Sequence, residues 1–161
     1  MVGLKFVCDR MLKRLAKWLR LSGYDTVCEE AFNTTPEKED TYLVENFKDR
    51  ILLTKDRELY HRRISRGYPA KLITSNQVWK QMKEVMELGV KFYPVTKRCT
   101  LCNSNLRKLK EEEAKEILEK MGLGKDLLKK ELWFCENCKK VYWIGSHWKN
   151  MIKFLEEHGL I

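Results

Sequence analysis

The sequence predicts an α/β protein, a parallel sheet covered by helices, followed by a small module stapled by four cysteines. Three observations predict it. Ile51 to Leu53 is a short apolar run without polar alternation, as expected of a strand covered on both faces, and Leu4 to Cys8 reads as a second strand that ends the same way, at a carboxylate. Segments with helical spacing and short links alternate with such runs, the pattern of βαβ units with right-handed crossovers. Finally, Cys99 and Cys102, then Cys135 and Cys138, form two C-x-x-C pairs.

Taken in order, the first strand runs into Asp9. From Arg10 to Leu21 the spacing is helical, with Met11, Leu12, Leu15, Ala16, Trp18 and Leu19 on one side and Arg10, Lys13, Arg14, Lys17 and Arg20 on the other. Gly23 follows, as a glycine just past a helix should. The basic stripe holds no acid; it is either a solvated face or a surface that positions phosphates. Asp25 to Cys28 reads as a second strand and Glu29 to Thr35 as a loop. Thr35, Pro36, Glu37 and Glu39 carry helix-start signals, and Asp40, Leu43, Val44 and Phe47 continue that helix. The third strand, Ile51 to Leu53, stops just before Asp56. A helix from Arg57 through Ile64 ends near Gly67, Lys71 to Thr74 reads as a strand, and Ser75 caps a helix running to about Leu88. The pattern changes near Pro94, which divides the chain into an α/β domain over residues 1–94 and a second module over 95–161.

Two strands therefore end at carboxylates, Asp9 and Asp56, which should meet on one rim of the sheet. In open α/β sheets that rim is where ligands bind. Converging carboxylates repel, and the usual remedy is a hard divalent cation.

In the second module, C-x-x-C is the spacing that lets one tight turn aim two thiolates at a tetrahedral ion, and two such turns fill four positions. Zinc held structurally by Cys99, Cys102, Cys135 and Cys138 is the expectation, with a redox dithiol pair as its rival. Lys108 to Met121 reads as a Glu/Lys-laced helix and Lys125 to Glu131 as a shorter one. Val141 to Ile144 is β-rich and should pair back within the module. Ser146 is placed as N-cap of a final helix that buries Met151, Ile152 and Leu155. His147, in the first turn, is either a tolerated surface residue or a contact to substrate; His61 and His158 are weaker candidates. Cys8 and Cys28 lie in strands expected to be neighbours, so a disulfide is conceivable and buried free thiols are the alternative.

Lys and Arg number 32 against 23 Asp and Glu, a formal charge of +9. That balance suggests a polyanion such as nucleic acid as partner, or else the Lys/Glu-rich surface of a heat-adapted protein. No stretch is apolar for the ~20 residues that cross a bilayer, and no signal-peptide core follows Met1, so a reducing cytoplasm is expected.

The string of motifs resembles one family. Phe6 to Leu12 with Leu15 to Thr26, then Arg50 to Arg57, then Arg98 to Asn103, and last Cys135 to Cys138 with Val141 to Trp143 and Gly145 to Trp148, are similar in order and kind to the Mut-seven C-terminal RNAse domain, a PIN-like nuclease domain fused to a zinc ribbon. Carried onto this chain, the resemblance implies an acidic site of Asp9, Asp40 and Asp56 holding one or two Mg or Mn ions. Glu37 and Glu39 crowd Asp40, Lys55 stands where the family pattern usually has Arg, and neutral Ser75 and Asn76 stand where many PIN-type nucleases have a fourth acid. The implied activity is a metal-dependent ribonuclease, with a non-catalytic RNA-binding or assembly module as the alternative. Arg10, Lys13, Arg14, Lys17, Arg20 and Arg57 would contact RNA phosphates, with His147 a further contact to the RNA. Lys139, Lys140, Tyr142 and Trp143 of the ribbon would add a second RNA surface, unless those aromatics are the ribbon's own small core.

Overall fold

Strands β1 (Lys5–Cys8), β2 (Asp25–Val27), β3 (Ile51–Thr54) and β4 (Ala70–Leu72) form a sheet in the order β2-β1-β3-β4, every neighbouring pair parallel. This computed structural model describes residues 3–28 and 35–161, so the loop read over Glu29 to Thr35 lies outside the described residues except for Thr35. Helices α1 (Lys13–Leu21), α2 (Pro36–Glu45), α3 (Arg57–Ser65) and α4 (Val78–Met86) complete the α/β alternation. Successive strand residues point to opposite faces. Phe6 and Cys8 accordingly join Leu53 and Ile73 in a core with Leu12, Leu15 and Leu19 and with Met82 and Val85 of α4. Val7 and Leu52 point the other way, onto Leu43 and Val44 of α2 and Leu59 of α3. Helices on both faces are why the strands lack polar alternation.

Several boundaries differ from the sequence reading. The chain leaves β1 through a 3₁₀ turn, Arg10–Leu12, before α1 begins. Three residues per turn instead of 3.6 shift the phase, and Met11, expected on the apolar side, is 72% exposed. α2 ends at Glu45, and Phe47 lies beyond it with a φ of 56°. Ser75 does not cap α4: the helix starts after Gln77, and the Ser75 hydroxyl accepts the Gln77 N–H at 3.2 Å.

A second sheet, antiparallel in the order β5-β6-β7, comprises β5 (Arg107–Lys108), β6 (Trp133–Cys135) and β7 (Lys140–Tyr142). Between β5 and β6 run α5 (Glu111–Lys120) and a 3₁₀ segment, Lys125–Lys129. Ala114 and Leu118 of α5 pack with Leu109, Leu132, Phe134 and Val141 in a separate core. α6 (Ser146–Glu157) starts after Gly145, so Ser146 is its first residue and not its cap. It returns to the first sheet, where Leu155 and the trailing Leu160 join the core and Phe154 stacks on Trp18, ring centroids 5.2 Å apart.

The cysteine-bearing turn is bonded directly to the free edge of β2. Asn103 Oδ1 accepts the Thr26 N–H at 2.9 Å and its Nδ2 donates to Asp25 Oδ1 at 2.7 Å. Arg20 Nε donates to the Thr26 carbonyl at 2.8 Å. Gly23, with a φ of +89°, lets the 95–97 segment pass: a Cβ there would meet Val95 Cγ2 at 3.1 Å in a conformation that side chains rarely adopt.

Candidate active site and metal centre

β1 and β3 are adjacent and in register, Cys8 opposite Leu53. The ladder continues one step past them, where the Asp9 N–H donates to the Leu53 carbonyl at 3.3 Å. Asp9 and Thr54 are thus side by side at the C-terminal rim. The Thr54 hydroxyl donates to Asp9 Oδ2 and accepts the Asp56 N–H at 3.0 Å. Both residues singled out from the strand ends therefore lie on one rim, and one threonine, to which the sequence reading gave no role, bonds the carboxylate of the first and the backbone of the second.

Their environments differ. Asp9 is 8% exposed; its Oδ1 accepts the Met11 N–H at 3.0 Å. Burial pushes its carboxyl above the usual carboxylate range, hydrogen bonds from Thr54 and from the Met11 and Lys55 N–H groups pull it partly back, and the charge of Glu39 adds to the rise. Asp56 is exposed. Its Oδ1 caps α3 by accepting the Glu58 and Leu59 N–H groups at 2.9 and 3.1 Å, which matches a carboxylate to the positive end of the helix.

The third aspartate is placed differently. Asp40 is exposed on α2, while its neighbour Glu39 is 6% exposed and its charge reaches Asp9. Glu39 also takes Arg10, at 3.0 Å to Nε and 2.9 Å to Nη2. Asp9, Asp40 and Asp56 are not drawn into one closed set: among the described residues, the four cysteines are the group whose metal-ligating atoms lie within 4.8 Å of one another. At the end of β4, Asn76 accepts from Lys55 and Ser75 is bonded to Gln77, while the Glu84 carboxylate of α4 accepts the Thr74 N–H at 2.9 Å and the Ser75 N–H at 3.3 Å, so an acid that the sequence reading did not single out stands beside those neutral residues.

The expected basic stripe divides. Lys13, Arg14 and Lys17 are exposed along α1, and Arg57 is exposed in the first turn of α3. Arg20 is a correction: it is 3% exposed, and besides Thr26 its guanidinium donates to the Thr100 and Leu101 carbonyls at 3.2 and 3.1 Å, so it joins the cysteine turn to the sheet instead of facing a phosphate. His147 is exposed, its ring edge-on to Trp143 at 6.0 Å.

The four cysteine sulfurs lie within 4.8 Å of one another, close enough to share one metal ion. Arms of 2.3 Å place the sulfurs of a zinc tetrahedron about 3.8 Å apart; Cys102 Sγ and Cys135 Sγ are 3.5 Å apart. The Cys138 N–H points at Cys135 Sγ at 3.3 Å, and the Tyr142 hydroxyl lies 3.1 Å from Cys99 Sγ. Burial alone would raise Cys102, but hydrogen bonds from Ser104, Asn137 and Cys138 bring it down to about 6, whereas the bond to Cys102 pushes Cys138 up to about 12. The set has the number, spacing and chemistry to bind zinc. Cys8 and Cys28 are free thiols, both buried, and burial pushes Cys8 well above its ordinary value.

A parallel four-stranded sheet with aspartates at one rim, followed by a small antiparallel sheet carrying four clustered cysteines, defines an α/β protein with a cysteine-cluster appendage. The Mut7-C RNAse domain family matches residues 4–155, and the chain belongs to that family. No curated protein and no solved structure matches the chain. Among the described residues, no helix is long and apolar enough to cross a membrane.

Proposed function

We propose that this chain is a metal-dependent ribonuclease of the cytoplasm that hydrolyses RNA phosphodiester bonds at the Asp9 and Asp56 rim. Residues 1–94 would be the nuclease unit and 95–161 a zinc ribbon that aids RNA binding. The observation that carries the reading is the placement of Asp9 and Asp56 at the ends of adjacent strands, bridged by Thr54.

The donor set fits Mg or Mn, hard ions that take carboxylate oxygens and retain several waters. Asp9 and Asp56 would hold the ion, with α2 supplying a further carboxylate, Asp40 as the family resemblance implies or Glu39 as burial favours. When bound, such a cation supplies Lewis-acid chemistry, activating water and offsetting charge on the attacked phosphate. The remaining work is positional. Thr54 keeps Asp9 oriented, the α3 cap takes one oxygen of Asp56, and the exposed Arg57, Lys13, Arg14 and Lys17, on helices that lead away from the rim, would take neighbouring phosphates. Four sulfurs close the zinc shell, so the zinc would stabilise the ribbon and take no part in hydrolysis.

The test compares parent, Asp9→Asn, Asp56→Asn, Glu39→Gln and Asp40→Asn on labelled single-stranded and structured RNAs with Mn²⁺. Asp9→Asn and Asp56→Asn should each lower cleavage by about 10- to 100-fold or more, and Glu39→Gln should cost more than Asp40→Asn. Cleavage that survives in both rim variants points to a contaminating nuclease and ends the reading. The alternative, an RNA-binding module that keeps the fold without turnover, rests on the neutral Ser75 and Asn76 and predicts binding without metal-dependent cleavage.

A further inference from the structure

A cavity of about 500 Å³ opens between α1, the segment after Pro94, β7 and the first turn of α6. We propose that this cleft binds an unpaired nucleotide of a single-stranded RNA, the base stacked against Trp143 and Trp148 and its phosphate held by Arg14 and Lys17. The inference rests on the ribonuclease reading and extends it to the class of strand that is held and where it is gripped.

Charge is the first argument. Arg14, Lys17, Arg98 and Lys140 line the cleft and no carboxylate does. On other helices surface cations have acids one turn away in Lys115 with Glu111, Lys120 with Glu116 and Lys153 with Glu157. Arg14 and Lys17 are exposed and make no hydrogen bond or ion pair among the described residues, so the bland account of a neutralised, solvated face does not describe them.

The aromatic lining is the second argument. Trp148 is half-buried at the cleft, yet it packs in none of the three apolar cores of the described residues. Trp143 does pack against the ribbon core, and its ring meets His147 edge-on at the cleft. An indole outside the core beside unpaired cations is a platform for a base, since every base has a π face and stacking needs no sequence match. The volume falls within the roughly 300–1,000 Å³ of small-ligand sites. A duplex cannot offer a base to such a cleft without opening, so the geometry favours a single strand.

The route is the third argument. α1 leaves the rim just after Asp9 and ends at the ribbon. Its nine residues span about 14 Å at 1.5 Å each. A strand cut at Asp9 and gripped in the cleft would follow the exposed Lys13, Arg14 and Lys17.

The test uses the full chain, zinc-loaded and carrying Asp9→Asn so that binding is separated from cleavage. The probe is a short single-stranded oligoribonucleotide with one 2-aminopurine, read by anisotropy and by the quenching of that base on stacking. We expect quenching on binding; Trp148→Leu should abolish it and weaken affinity roughly 5- to 150-fold. Arg14→Ala with Lys17→Ala should lower the slope of log affinity against log salt by roughly 0.7 for each cation removed. Unchanged quenching in Trp148→Leu together with an unchanged salt slope overturns the proposal. So does displacement by a poly-glutamate peptide as effective as by unlabelled oligonucleotide, which would make the cleft an acidic-peptide site. If the cleft variants behave as expected but the parent never cleaves RNA, the cleft stands and the ribonuclease reading falls. If Asp9→Asn ends cleavage while the cleft variants bind as the parent does, the cleft falls alone.

Discussion

Asp25 sits where three cationic and amide groups converge. Arg50 Nη1 donates to its Oδ1 at 2.8 Å, Asn103 Nδ2 at 2.7 Å, and Arg98 Nη2 lies 4.0 Å from Oδ2. Burial alone would raise its carboxyl, but those hydrogen bonds and the charges of Arg50 and Arg98 outweigh it and hold Asp25 below the usual range. A depressed native pKa contributes stability that is whole above the unfolded value near 3.9 and is lost as pH falls through the lower native one. Asp25→Asn should therefore be less stable than the parent at neutral pH, and the gap should narrow on approaching about pH 3; urea melts across that range measure it. A gap that does not change with pH would show that the charge of Asp25 contributes nothing. At this scale the sequence discloses residues whose role follows from chain position and conceals those whose role follows from packing. Asp9 and Asp56 are visible because each stands within two residues of a strand end. Glu39 is not: it precedes buried Leu43 by one turn just as Asp40 precedes buried Val44, so periodicity alone cannot choose between them. Arg20 looks like one more cation of a solvated stripe until β2 and the cysteine turn close around it.

Among the elements, α3 shows how a cation can be a fastening. Arg63 is fully buried, and its guanidinium donates to the carbonyls of Leu43 and Asn46 at 2.6 Å, Phe47 at 2.7 Å and Arg50 at 2.9 Å. It thereby satisfies the end of α2 and the turn that follows, and Phe47 can hold its positive φ there. Since α2 carries Glu39 and Asp40, Arg63 supports the rim from behind. Arg63→Met would strand several buried carbonyls and should cost about 3 kcal/mol or more, whereas Arg62→Met, losing one long bond to Thr41, should stay within about 0.5 kcal/mol. Equal losses in denaturant melts would refute the fastening role. The longer helices and the two central strands of the first sheet are legible from spacing because each buries a full face. β5 and β6, two and three residues long, are too short to show a period and exist because the ribbon folds back on itself. The 3₁₀ turn after Asp9 is likewise invisible in composition, being set by the Asp9 side chain taking the Met11 N–H.

For the whole molecule, the consequence is that the sulfur cluster and the sheet are mechanically one. The turn bearing Cys99 and Cys102 presents Asn103 in a left-handed conformation, φ 73°, and that residue closes the outer edge of β2. An open parallel edge leaves N–H and C=O groups unpaired; here Asn103 takes the Thr26 N–H while Arg20 takes its carbonyl. Because the unfolded chain has no preformed site, metal-binding free energy is folding free energy for the turn, and the edge should inherit it. Stripping a cluster-bound ion with a chelator, or Cys102→Ser, should therefore speed exchange of the Thr26 amide, which Asn103 holds, while amides of the central strands stay protected. Asn103→Ala, with the cluster loaded, should reproduce the loss at Thr26 alone and cost about 1–3 kcal/mol for the stranded N–H. If Thr26 exchanges equally slowly with and without metal, the ribbon is an independent appendage. Loss of protection in β1 and β3 as well would mean that the cluster supports the entire sheet and not its edge. Between those outcomes lies the expected one, in which the ribbon seals one side of the sheet and leaves the Asp9 rim, held by Thr54, unmoved.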